Sequence, residues 1–213
     1  MDLAVWIDAA LRSLSGDGLL LESDPHLPSV TAIVAGEPIR GSWWGNPAAR
    51  GTYQVLLALE DHPDALRTKL INGKVTYVHR SLWPALLGVA LAQEPWQLRA
   101  LSQPACWLLE EVDAHAEVRL DLITPPAGVP RKALLLAARE LERRLLVHGT
   151  EMHTPSGAHA RLLETWKEWQ SAVNHRVLPL SPEEGRAVLA SRLAHLNETC
   201  GVEARLPWQT DQT

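Results

Sequence analysis

The chain of 213 residues has no phenylalanine and only two cysteines, Cys106 and Cys200. Two thiols cannot build the disulfide framework that staples small secreted domains. Cys106 lies in the apolar run Pro104-Ala105-Cys106-Trp107-Leu108 and is expected to be a small buried hydrophobe. No apolar run approaches the ~20 residues of a membrane span. No basic segment leads into an apolar stretch behind Asp2, so the reading is cytoplasmic, with no signal peptide and no membrane partner. Positive charge is not in excess either: 20 Lys and Arg stand against 25 Asp and Glu, a net charge of -5. Neither half is a basic domain, which excludes a large nucleic-acid footprint but not a local basic stripe. The Walker loop, the dinucleotide fingerprint, zinc-finger spacing and the serine-nucleophile elbow are all missing. Neither cofactor nor metal is expected, and no catalytic residue is assigned.

What the chain does have is tryptophan, nine residues of it. An indole buries a large apolar surface and carries one N–H that needs a partner, so packing is its first expected use and ligand stacking the second. With 46% hydrophobic and 21% charged residues, the composition is that of a folded protein.

Periodicity predicts a helix over 3–14, with Leu19-Leu20-Leu21 as a brief extension beyond Gly16 and Gly18, and a short helix over 29–34. Asn46 and Pro47 are placed to start a helix that runs to Glu60. Asn72-Gly73 between two strand-like runs is a strong hairpin signal of type I′. Helical pieces follow over 82–91 and 94–101, then a helix from Gln103 and a short strand within 116–123. Arg131–Leu146 is the clearest amphipathic helix. A hairpin is expected around Pro155-Ser156-Gly157, and a helix over 162–173 with Trp166 and Trp169 on one side. Ser181-Pro182-Glu183-Glu184 signals a capping box. Residues 202–213 are expected to be partly ordered, with Leu206 and Trp208 docked.

Helices followed by a hairpin occur twice, over about 3–80 and 102–164. The fold class expected is therefore mainly α with small β-hairpins (α+β), as tandem winged-helix-like units. The division expected is 1–100 for the first unit with its following helices, and 101–213 for the second with the C-terminal helices.

Three strings, Arg40-Gly41-Ser42-Trp43-Trp44-Gly45-Asn46-Pro47, the segment from Lys69 to Arg80, and the segment from Arg139 to His148, resemble a group of uncharacterised bacterial proteins. Relatives in that group often carry histidine where Asn46 stands here, so a role for that histidine does not transfer. The organisation is also loosely similar to the tandem winged-helix DNA glycosylases that excise alkylated bases. The Gln-x-Gln catalytic signature of those enzymes has no equivalent here: Gln93 and Gln97 are four apart and Gln170 stands alone.

Three groups are candidate sites. Arg131, Lys132, Arg139, Arg143 and Arg144, with Lys74 of the hairpin, form the nucleic-acid candidate, since guanidinium groups meet phosphates and guanine edges. A solvated face with Arg–Glu pairs from Glu140 and Glu142 is the competing reading. Arg40, Ser42, Trp43 and Trp44 form a candidate ligand loop, against which stands a loop simply locked to the core by its indoles. His148, Glu151, His153 and His159 are close in sequence but have no known metal spacing. The function expected is a DNA-associated winged-helix protein with duplex or damaged DNA as partner. A non-catalytic protein-interaction module with a protein partner, or a glycosylase- or hydrolase-like enzyme centred on the 40–47 loop, are the alternatives.

Overall fold

Fifteen residues after it begins, the first helix α1 (Leu3–Asp17) is stopped by Gly18, whose φ of 76° puts it in the left-handed region while its N–H bonds the Leu14 carbonyl. The leucines that follow do not extend the helix. They form strand β1 (Leu19–Leu21), fully buried on both faces, because a continuous apolar run suits a strand covered on both sides. Then come α2 (Val30–Ala35), α3 (Ala49–Glu60), β2 (Ala65–Lys69), β3 (Val75–His79), α4 (Trp83–Ala90) and α5 (Pro95–Leu98). The second half runs α6 (Gln103–His115), β4 (Glu117–Arg119), α7 (Arg131–Arg143), β5 (His148–His153), β6 (His159–Glu164), α8 (Trp166–Ala172), α9 (Pro182–Cys200) and α10 (Pro207–Thr210). This computed structural model describes residues 2–153, 159–173 and 177–210. Among them the molecule is α+β, with two three-stranded antiparallel sheets ordered β1-β3-β2 and β4-β6-β5.

Local chemistry sets many boundaries. Asn72 and Gly73 both have positive φ, 53° and 65°, as a type I′ hairpin demands. Ser181 Oγ accepts from the Glu184 N–H at 3.3 Å and the Glu184 carboxylate accepts from the Ser181 N–H at 3.1 Å, completing the capping box of α9. The helix expected over 162–173 begins later, because residues up to Glu164 pair with β4 and β5. Thr165 then caps α8 by accepting from the Glu168 N–H. The Pro155-Ser156-Gly157 turn lies outside the described residues.

Sheet β1-β3-β2 separates two cores. Leu20 and Tyr77 pack with α1, α2 and α3. Leu19, Leu21, Leu66 and Val78 face a larger cluster that takes in α4, α8, α9 and Leu206. Helix α9 lies close on α4 because Gly185 rests on the Ala85 carbonyl and Gly88 on the Leu180 carbonyl, positions where a Cβ would collide with backbone. A third core joins α6, α7 and the sheet of the second half. Cys106 corrects the expectation made for it: it is exposed, and Ala105, Leu108, Leu109 and Val112 are the residues of α6 that face inward. Among the described residues, no helix is long and apolar enough to cross a membrane.

The two halves meet through charge and indole. Glu142, 4% exposed, accepts from Arg161 at 2.5 Å and pairs with Lys69 of β2 at 3.2 Å. His148 Nδ1 meets the Glu164 carboxylate at 2.9 Å and Nε2 meets the Arg67 carbonyl at 3.0 Å. Trp166 and Trp169 pack against this imidazole, and Trp83 of the first half stands edge-on to Trp169.

Candidate nucleic-acid interface

The site starts from the spacing of charge on α7. Residues seven and eleven apart fall within about 20° of one another on a helix turning 100° per residue, so Lys132, Arg139 and Arg143 form one stripe. All three are exposed. The opposite face, with Leu134, Ala137, Ala138 and Leu141, is buried. Between the cations the stripe also exposes Leu135 (50%) and Leu136 (56%).

Arg139 and Arg143 line a groove of about 550 Å³ with Arg144, Arg205 and the hairpin tip Asn72-Gly73. The groove is assembled from distant segments. Asn72 donates its N–H to the Arg205 carbonyl at 2.9 Å, and its Oδ1 accepts from the Arg205 N–H at 2.8 Å. Gly73 lies against the Arg143 side chain, so that a Cβ there would sit 3.3 Å from it. Glu140 is the one acid in the lining, and its carboxylate is held by the Ser102 hydroxyl at 2.6 Å and backbone N–H at 3.1 Å. Among the described residues, none of the four guanidinium groups forms an ion pair with a carboxylate.

The other sequence candidates are placed differently. Arg131 points away from the groove and donates to the carbonyls of Leu120, Asp121 and Ile123. It closes the 120–130 loop and is not part of the groove. Arg144 is shared between roles: it lines the groove and also donates to the carbonyls of Trp96, Gln97 and Arg99 at the end of α5. Lys74 is paired with Asp24 at 2.7 Å and does not join the stripe. Arg205 was missed, since an isolated arginine near the C-terminus carries no periodic signal.

In the 40–47 loop, Trp43 is buried and donates its indole N–H to Glu22 at 3.3 Å. Trp44 stacks on it with ring centroids 4.2 Å apart, yet remains 67% exposed. Both line a second cavity of about 450 Å³ that also holds Tyr53, Glu60, Arg67 and Glu151. Arg40 and Ser42 are exposed and do not line it. The carboxylates arrive from the residue after β1, from the end of α3 and from β5, between 13 and 104 residues from the loop, and no local spacing joins them to it. His148 is occupied by Glu164 and the Arg67 carbonyl, and no cluster of three metal-ligating side chains exists among the described residues. The chain matches no family model, no curated protein and no solved structure.

Proposed function

We propose that the protein binds duplex nucleic acid through the α7 groove, as a tandem winged-helix protein. The observation that carries this reading is the convergence of Arg139, Arg143, Arg144 and Arg205 on one groove without carboxylate neutralisation among the described residues. The element order supports it. The first half runs helix, short strand, two helices and hairpin, the second runs helix, short strand, one helix and hairpin, and each sheet places its third strand in the middle. In a winged helix, the helix before the hairpin enters the major groove. In the second half that helix is α7, which bears the stripe. The tip of the first hairpin serves here as one wall of the groove. The overall charge of -5 confines polyanion contact to this face and keeps the footprint small.

Anisotropy titrations with a duplex oligonucleotide over a range of salt test the reading. Each phosphate contact contributes a slope of about -0.9 in log K against log salt. Binding at low salt with a slope of roughly -3 is expected, and the double variant Arg139→Ala, Arg143→Ala should lose about two units of that slope. Absence of binding at low salt, or a slope untouched by the double variant, defeats the proposal.

Leu135 and Leu136 favour a second reading, an acidic protein segment with apolar anchors, because exposed leucines between cations give such a partner a core contact. That partner would lose affinity with Leu135→Ser and Leu136→Ser, while duplex binding would hold.

A further inference from the structure

The second cavity is independent of the α7 groove and has the opposite character. Its three carboxylates, Glu22, Glu60 and Glu151, face one guanidinium, Arg67. Arg67 is divided between Glu22 at 3.5 Å and Glu60 at 3.2 Å. Glu151 is half exposed and is paired at 3.5 Å with Arg161. Adding both arginines still leaves one carboxylate in excess, so an anion is disfavoured.

The rest of the lining is largely aromatic, with Trp43, Trp44 and Tyr53. Trp43 is fixed by its bond to Glu22 and supports Trp44 from below. Tyr53 stands 6.3 Å from Trp44. An indole so exposed leaves its π surface open to a ligand, and that surface attracts cations. A bare metal ion suits the site poorly. Hard metals need several oxygens converging at one point, and no group of three metal-ligating side chains exists among the described residues. A neutral apolar ligand would desolvate the carboxylates without compensation.

We propose that this cavity binds a small organic cation with an apolar body, seated on the Trp44 face with its charge toward Glu60 and Glu151. A volume of about 450 Å³ lies within the range of small-molecule sites, ~300–1,000 Å³. Burial raises Glu60 above the ordinary glutamate range; Arg67 opposes the rise, and Glu151 and Glu22 reinforce it. Affinity for a cation should therefore fall as the pH drops through that raised range and Glu60 becomes neutral.

Calorimetric titration of the full chain with choline and with its uncharged isostere 3,3-dimethylbutan-1-ol reads this directly. Saturable binding of choline at millimolar concentration is expected, with the isostere about tenfold weaker. Trp44→Ala and Glu60→Gln should each weaken choline severalfold, with circular dichroism confirming that both fold. The Arg139→Ala, Arg143→Ala variant should bind choline normally, which separates this site from the nucleic-acid reading. Equal affinity for the two probes, no saturable heat with choline, or affinity unaltered in both cavity variants overturns the proposal.

Discussion

Asp24 holds three donors at once: the backbone N–H groups of His26 at 2.9 Å and Leu27 at 3.0 Å, and the Lys74 ammonium at 2.7 Å. Burial acts to raise its pKa, but Lys74 and the two backbone donors outweigh it and hold the carboxyl below the ordinary range. A depressed folded pKa gives stability that is present above the unfolded value of about 3.9 and lost as pH falls through the folded one. Asp24→Ala should therefore cost about 2 kcal/mol at neutral pH, and the gap from the wild type should narrow below about pH 4. Urea denaturation of both proteins across pH checks this; a gap that stays constant into acid would refute it. Residues of this kind show where sequence reading stops. Lys74 counted as a free cation of the hairpin because its acid lies 50 residues away. Arg131 counted with the stripe because its acceptors are backbone carbonyls, which no residue pattern marks. Lys132, Arg139 and Arg143 were legible because their common face follows from helical period alone.

Among the elements, two boundaries set by local chemistry were legible, whereas α3 starts at Ala49 behind an Ala48 cap and not at the Asn46-Pro47 signal. The Asn72-Gly73 hairpin and the capping box at Ser181 each rest on residues adjacent in sequence. Strand β1 was not legible as a strand, since its three leucines are buried by α1 and α3 on one side and by α4 and α9 on the other. Glu142 escaped for a similar reason. It lies beside Arg139 and Arg143 on an amphipathic helix and looked like their solvent partner. Instead it is buried and ties Lys69 of the first hairpin to Arg161 of the second. Removing one partner of a buried ion cluster leaves the others uncompensated, at about 3–5 kcal/mol. Glu142→Ala should lose that much in chemical denaturation, whereas Glu140→Ala, which loses two exposed hydrogen bonds to Ser102, should lose about 1–2 kcal/mol. Similar losses for the two would show that the inward position of Glu142 carries no special weight.

At the scale of the molecule, the C-terminal segment joins stability to the proposed interface and allows the two to be separated. Gly201 ends α9 in the left-handed region with φ of 65°. Asn197 then brackets Ala204, donating to its carbonyl at 2.9 Å and accepting its N–H at 3.0 Å. The chain thus returns along the first sheet's side, burying Leu206 completely with Leu70, Ile71 and α4. Between these anchors, Arg205 grips Asn72 with its backbone and leaves its side chain in the groove. Leu206→Ala opens a cavity in a shared core and should cost about 2–5 kcal/mol. Arg205→Ala keeps the backbone bonds to Asn72, so its stability should stay within about 0.5 kcal/mol of the wild type. It should instead flatten the salt dependence of duplex binding by about 0.9. Thermal denaturation and anisotropy on the same two variants decide the matter. If Arg205→Ala unfolds the protein as readily as Leu206→Ala, or leaves the salt slope intact, the arginine belongs to the scaffold and the groove loses one of its four charges.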